Sequence, residues 1–315
     1  MRLSPSSPPL RIDRALVDAL GDQGHPCTRA QLARAFGRGD ITVGGRPIKP
    51  SLRVDRVLDV AVVFPHPEPL RAEPEDIALT IVHEDADLLV VDKPAGMVVH
   101  PGPGHAAGTL VNAVLHHLGI GADRLPVLEG NDPTRPGIVH RLDRQTSGVM
   151  VVAKTPLAQE GLAAQFRTHT LQRRYLGVVE GQPSWTQRRV ETGHARDPHD
   201  RRRFAPLETA TRRATSDAEV IEPLRGAATV GWTLHTGRTH QIRMHARYLG
   251  HPILGDTQYG RTPSEPAVRT AAAALTRHAL HAELLGVVHP RSGASVTWRS
   301  PLPAELETLI EQLRP

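Results

Sequence analysis

Two short stretches concentrate the groups that could do chemistry. The first, HRLDRQTSG at residues 140–148, sets His140, Arg141, Asp143 and Arg144 beside Thr146, Ser147 and Gly148, directly ahead of the apolar run 149–153. A carboxylate flanked by guanidinium groups stays ionised, because nearby opposite charge lowers its pKa. An ionised Asp143 suits a nucleophile or a general base rather than a general acid. The same pattern also fits a structural ion pair, and the residues alone leave both readings open. Local hydrogen bonds from Thr146 and Ser147 are expected to pin the loop.

The second stretch is HTGRTHQIRMHARYLGHPILGDTQYG, residues 235–260. Thr236 and Gly237 turn the chain, and Thr239 is expected to cap a helix whose inner stripe is Ile242, Ala246 and Leu249. Gly250 and Pro252 end it. Arg238 and Arg243 then lie at or near the helix N-terminus, where free backbone N–H groups favour anions. An arginine there can hold a carboxylate or phosphate through two parallel hydrogen bonds.

Other chemistries find little support. His235, His240 and His245 are spaced by five, which suits neither a helical nor a strand ligand pair, and no H-E-x-x-H pattern occurs. With 18 histidines in the chain, some clustering arises by chance, and no metal site is expected. There is no phosphate-loop motif and no G-x-S-x-G elbow, and the glycine-rich PGPGHAAG fits no nucleotide-binding template, so no cofactor is expected either.

The elements that must position these groups follow from periodicity. Residues 1–9 are rich in Ser and Pro and are expected to be a disordered tail. Over 10–64 the pattern is helix (Ile12, Ala15, Leu16, Ala19, Leu20), helix (Leu32, Ala35, Phe36, with Thr28 as cap), a hairpin turning at Gly44-Gly45, and a strand, a small α+β domain. Arg29, Arg34 and Arg38 crowd its second helix. Residues 65–76 are Pro- and Glu-rich and predict a linker. From 77 to 315, strands are predicted at ALTIVH, LLVVDK, GVMVVAK, RYLGVVEG, ATVGWTLH and SVTWRS. Helices are predicted at TLVNAVLHHL, LAQEGLAAQFRTH, THQIRMHARYLG and PAELETLIEQL. The fold class is therefore α+β, with a mixed, mostly antiparallel sheet and flanking helices.

Composition bounds the partners. The 315 residues carry a net charge of +5, which favours a polyanion, although 3 lysines against 35 arginines also fit a biased codon usage. Aromatics make up only 3 %, so each Tyr or Phe is informative. The single cysteine, Cys27, allows no internal disulfide and no thiolate metal cluster. No signal peptide or membrane span is evident, and a cytoplasmic location is expected.

In combination these stretches resemble the RluA family of pseudouridine synthases. HRLDRQTSG is similar to that family's signature, and DKPAGMVVHPG, VNAVLHHL, LQRRYLGVVEG, GRTHQIRMHARYLGHPILGD and HALHAELLGVVHP follow in the family's order. Residues 10–64 resemble the alpha-L RNA-binding motif. The resemblance implies a pseudouridine synthase fold for 77–315 and an RNA substrate, ribosomal more than transfer RNA, with neither cofactor nor metal, and the simplest assembly is a monomer. It implies that Asp143 is the catalytic aspartate, that Arg141 helps displace the target nucleotide, and that Tyr175 packs on the uracil. It further implies that Arg243 pairs with the catalytic carboxylate and that Ile242 lines the pocket; Arg238, Arg29, Arg34 and Arg38 join them as RNA-binding candidates. GHARDPHDRRRFAP, at 193–206, departs from the usual pattern in being more Arg-rich. A non-catalytic RNA-binding protein and a metal-dependent hydrolase are the competing readings.

Overall fold

The computed structural model describes residues 1–23, 29–63, 72–102, 104–127 and 135–315, with residues 29–31 and 34 described by backbone alone. They fall into two compact units, Met1–Pro69 and Leu70–Pro315.

The first unit holds β1 (Arg2–Leu3), α1 (Ile12–Asp22), α2 (Arg29–Arg38), β2 (Ile41–Val43), β3 (Arg46–Pro47) and β4 (Leu58–Val62), with the strands ordered β1-β4-β2-β3. The four-residue spacing of Ile12, Leu16 and Leu20 puts one face of α1 into a core shared with Leu32, Phe36, Ile41 and Val60. The expectation of a disordered tail over 1–9 is corrected. Arg2 and Leu3 pair with Asp59 and Leu58, Leu3 is buried, and the Met1 ammonium donates to the Val60 carbonyl at 2.7 Å. An open edge of β4 offers unpaired backbone groups, and even two residues gain by covering it. Thr28, expected as a helix cap, lies outside the described residues.

The second unit continues with β5 (Thr80–Glu84), β6 (Leu88–Lys93), α3 (Leu110–Leu118), β7 (Ser147–Ala153), α4 (Pro156–Thr168), β8 (Gln172–Glu180) and β9 (Gln187–Gly193). A small hairpin follows, β10 (Ala195–Arg196) and β11 (Phe204–Ala205), then β12 (Arg213–Leu224), β13 (Ala227–Leu234), α5 (Gln241–Tyr248), α6 (Pro266–Ala273), β14 (Leu280–Val288), β15 (Ser295–Arg299) and α7 (Ala304–Leu313). One nine-stranded sheet runs β5-β6-β7-β14-β8-β13-β12-β9, with β15 on β14. Among the strands of the described residues only β7 and β14 pair in parallel, so the class is α+β with a mixed, mostly antiparallel sheet, as expected.

β7 is apolar at every position after Gly148 because both faces are covered. Met150 and Val152 pack with Leu110, Val111, Val114 and Leu115 of α3, while Val149 and Val151 pack with Ala158 and Leu162 of α4. Each such buried side chain stabilises the sheet by about 1.5–3 kcal/mol. Gly148 takes φ +120°, and a Cβ there would sit 2.3 Å from the Ala282 carbonyl oxygen, so only glycine lets β14 approach the start of β7.

Residues 72–76, expected as linker, are packed instead. Ala72 is buried, Asn112 Nδ2 donates to the Glu73 carbonyl at 2.7 Å, and the Glu75 carboxylate accepts from the Gly108 N–H at 3.1 Å. A buried Asn must find acceptors, and this strand of chain supplies them. Among the described residues no helix is long and apolar enough to cross a membrane.

Candidate active site

Asp143 sits on the turn that feeds β7. The Thr146 N–H donates to the Asp143 carbonyl at 3.0 Å and closes that turn. That bond is local, as expected of Thr146, whereas the side chains of Thr146 and Ser147 make long-range bonds. Thr146 Oγ1 bonds His278 Nε2 at 2.8 Å, and Ser147 Oγ bonds His281 Nδ1 on β14 at 2.9 Å. From the other side, the fully buried Lys93 at the end of β6 donates to the carbonyls of Pro94, Met97 and Arg144 at 2.7, 3.1 and 3.3 Å. Burial pushes this ammonium down to about 7, against the opposing pull of the Asp143 charge. Arg144 itself donates to the Gly96 carbonyl at 3.0 Å and serves the loop. His140 stacks on Phe166 and accepts the Val151 N–H at 3.0 Å; burial pushes it down to about 3, so its ring is a neutral structural piece.

Arg243 arrives from α5. That helix starts at Gln241, its N-cap is His240 with φ 57°, and Thr239 does not cap it. Thr239 instead gives its carbonyl to His194 Nε2 at 2.9 Å. Gln241 Oε1 takes the Arg238 N–H at 3.0 Å and the Thr236 hydroxyl at 2.7 Å, which ties the incoming chain to the first residue of a helix that has no side-chain cap. One turn in, Arg243 is buried and fully engaged. Nε and Nη2 donate to the two oxygens of Asp256 at 2.6 and 2.9 Å, Nη2 also donates to Gln258 Oε1 at 2.7 Å, and Nη1 donates to Asp143 Oδ2 at 2.9 Å. Gly255, at φ +73°, fixes Asp256 for this role, since a Cβ there would meet the Arg277 carbonyl oxygen at 2.3 Å.

The electrostatics favour a carboxylate at 143. Burial would raise its pKa, but the charges of His240 and Arg243, with the Arg243 hydrogen bond, hold it below the usual range. His240 is itself pushed down by burial, so at neutral pH the permanent cation is Arg243. The guanidinium engages only Oδ2. Oδ1 lies 3.9 Å from His240 Nε2, beyond hydrogen-bond range, and is the oxygen available for reaction.

These groups line one recess open to solvent. Tyr175 from β8, Leu142, Ile242 and Leu280 supply apolar walls, and the exposed Arg141 and Arg238 border it. The structure thus brings together Asp143, Arg141, Tyr175, Arg243, Ile242 and Arg238. Arg29, Arg34 and Arg38 belong to the other unit, where Arg38 is already held by Asp40 at 2.6 Å. Asp256, Gln258, His240, Tyr259, Lys93 and His278 were missed as site residues. The acceptor Asp256 carried a signal, a Gly-Asp pair in the same dense stretch as Arg243.

Among the described residues one group has metal-ligand proximity, Asp85, Asp87 and His289. Arg291 already occupies both oxygens of Asp87, at 2.5 and 2.7 Å.

Known proteins of similar sequence and fold point to one family. A family profile described as RNA pseudouridylate synthase matches residues 87–248. The chain is 41 % identical to an uncharacterized RNA pseudouridine synthase of Chlorobaculum parvum, over 97 % of this chain and 94 % of that one. It is 40 % identical to the ribosomal large subunit pseudouridine synthase D of Zymomonas mobilis, over 96 % and 93 %. Among solved structures, human RNA pseudouridylate synthase domain containing 1 superposes with a TM-score of 0.58 at 25 % identity, covering 76 % of this chain and 90 % of that one.

Proposed function

The chain belongs to the RNA pseudouridylate synthase family, and from that premise we propose that it isomerises uridines of large-subunit ribosomal RNA, with Asp143 opening the glycosidic bond. The N1–C1′ bond breaks, the uracil turns within the recess, a C5–C1′ bond forms, the C5 proton leaves and N1 regains a proton. Atoms and charge balance without redox change or an added co-reactant.

The observation that carries this reading is the Arg243–Asp143 pair at 2.9 Å beside Tyr175 in one recess. An ionised, partly desolvated carboxylate oxygen at Oδ1 can attack C1′ or take a ribose proton, and the preorganised guanidinium steadies the charge that moves onto the departing uracil. The target base must leave its stack, at a cost of a few kcal/mol. Arg141, exposed at the recess, holds the vacated position or its phosphates, and Tyr175 packs on the extruded ring. The large-subunit target is supported by the name of the Zymomonas mobilis relative.

Carbodiimide mapping of pseudouridine in RNA from cells with and without the gene tests the target. Loss of one or more sites from large-subunit ribosomal RNA is the expected result. Loss confined to transfer RNA would overturn the ribosomal assignment while leaving the reaction intact.

A further inference from the structure

The Arg-rich segment around β10 and β11 is tied to the site by a chain of hydrogen bonds. The backbone N–H of Phe204 donates to the Tyr259 phenol oxygen at 2.7 Å, and that oxygen lies 3.1 Å from His240 Nδ1. Tyr259 is 2 % exposed. A buried phenol has one proton to place, and among the described residues the only acceptor it reaches is His240 Nδ1. Tyr259 therefore donates to Nδ1, which leaves the proton of the neutral imidazole on Nε2. The ring is held edge-on by Phe204 and Tyr259, at centroid distances of 5.8 and 5.6 Å, on a backbone with φ 57° that side chains rarely adopt.

That Nε2–H faces Asp143 Oδ1 across 3.9 Å. The gap is too long for a direct hydrogen bond and suited to a bridging hydroxyl. In an RNA chain both the 3′ and 5′ oxygens are esterified, so the free sugar hydroxyl next to C1′ is the 2′-OH. Resting on the function proposed above, we propose that His240 reads the ribose 2′-hydroxyl of the target nucleotide, Nε2–H donating to O2′, in a tautomer fixed by Tyr259. The site thereby selects ribose over deoxyribose. The groups facing the ring are Asp143, Arg243, Asp256, Arg196 and Tyr259; burial, the largest influence, disfavours the imidazolium, and the tyrosine hydroxyl is pushed up to about 12 and stays protonated.

Two measurements test this. Nitrogen-15 NMR of the free full-length protein reads the tautomer without any substrate. An unprotonated Nδ1 is expected for His240, and a protonated Nδ1 would overturn the assignment. Second, wild type and His240→Asn are compared on a synthetic RNA containing a mapped target uridine and on the same RNA carrying 2′-deoxyuridine there. Asn tolerates the left-handed backbone, so the variant keeps the helix start. Conversion of the all-ribose RNA by wild type separately tests the synthase reading. The substitution is expected to slow single turnover about tenfold on the all-ribose RNA and far less on the deoxy RNA, with RNA binding unchanged. Equal slowing on both substrates, or none on either, would remove the 2′-hydroxyl contact.

Discussion

Replacing Asp256 by Asn tests how the site holds its cation. The change keeps the shape and removes one charge. Asn Oδ1 can still accept the Gln258 and Tyr259 backbone N–H groups, now at 2.9 and 3.0 Å. The other oxygen becomes an NH2 that faces the Arg243 Nε–H across 2.6 Å, donor against donor. Arg243 must then shift, and with it Nη1, the group 2.9 Å from Asp143. Removing one partner of a buried ion pair costs about 3–5 kcal/mol, which for a unit of this size lowers the midpoint of thermal unfolding by about 10 °C. A displacement of the order of 1 Å at the catalytic carboxylate costs about 100-fold in rate. Thermal unfolding followed by circular dichroism, and tritium release from RNA labelled at uridine C5, read the two effects. An Asp256→Asn protein with wild-type midpoint and wild-type turnover would refute the claim that Asp256 positions Arg243.

Three further outcomes follow from the same geometry. Tyr175→Phe keeps the ring against the recess and is expected to retain most activity, whereas Tyr175→Ala loses about tenfold or more; equal single-turnover rates for the two would remove stacking from the account. Because Asp143 is held below the ordinary carboxylate range, the rate should persist as pH falls through about 4 and drop only at lower pH. The stability from its pairing likewise is complete above the unfolded pKa and is lost as pH falls through the folded one; a rate titrating at or above the ordinary carboxylate value would contradict this. Gly148→Ala should prevent β14 from seating on β7, because the added Cβ would lie 2.3 Å from the Ala282 oxygen, and a variant that unfolds like wild type would show that the register gives way easily.

What the sequence disclosed, and what it hid, follows from the range of each interaction. The buried strands β6 and β7 carry continuous apolar runs, β13 is rich in β-branched and aromatic residues, and α3, α4, α5 and α7 carry helical stripes, so local pattern suffices for them. β9, the β10–β11 hairpin, β12, β14 and α6 were not predicted. β12 mixes Arg, Ser, Asp and Glu with Ala and Val, and what makes it a strand is ladder pairing on both sides, with β13 across the short turn at 225–226 and with β9 earlier in the chain, rather than an apolar pattern of its own. The same distinction holds in the site. Asp143 and Arg243 stand out by type and neighbours, and their contact is as expected. His278, by contrast, reaches Thr146 across 132 positions, and Lys93 reaches the Arg144 carbonyl across 51, with nothing local to announce either bond. Thr239 has a favourable type for the cap of α5, yet the N-cap position falls on His240 without a side-chain cap bond, and Gln241 holds the Arg238 N–H just ahead of the helix.

The most direct test of the whole account is tritium release from C5-labelled target RNA by wild type and by Asp143→Asn, with folding and RNA affinity measured on both proteins. Turnover by wild type, none by the variant, and equal affinity for RNA are predicted. A folded Asp143→Asn protein that forms pseudouridine at the wild-type rate would contradict it.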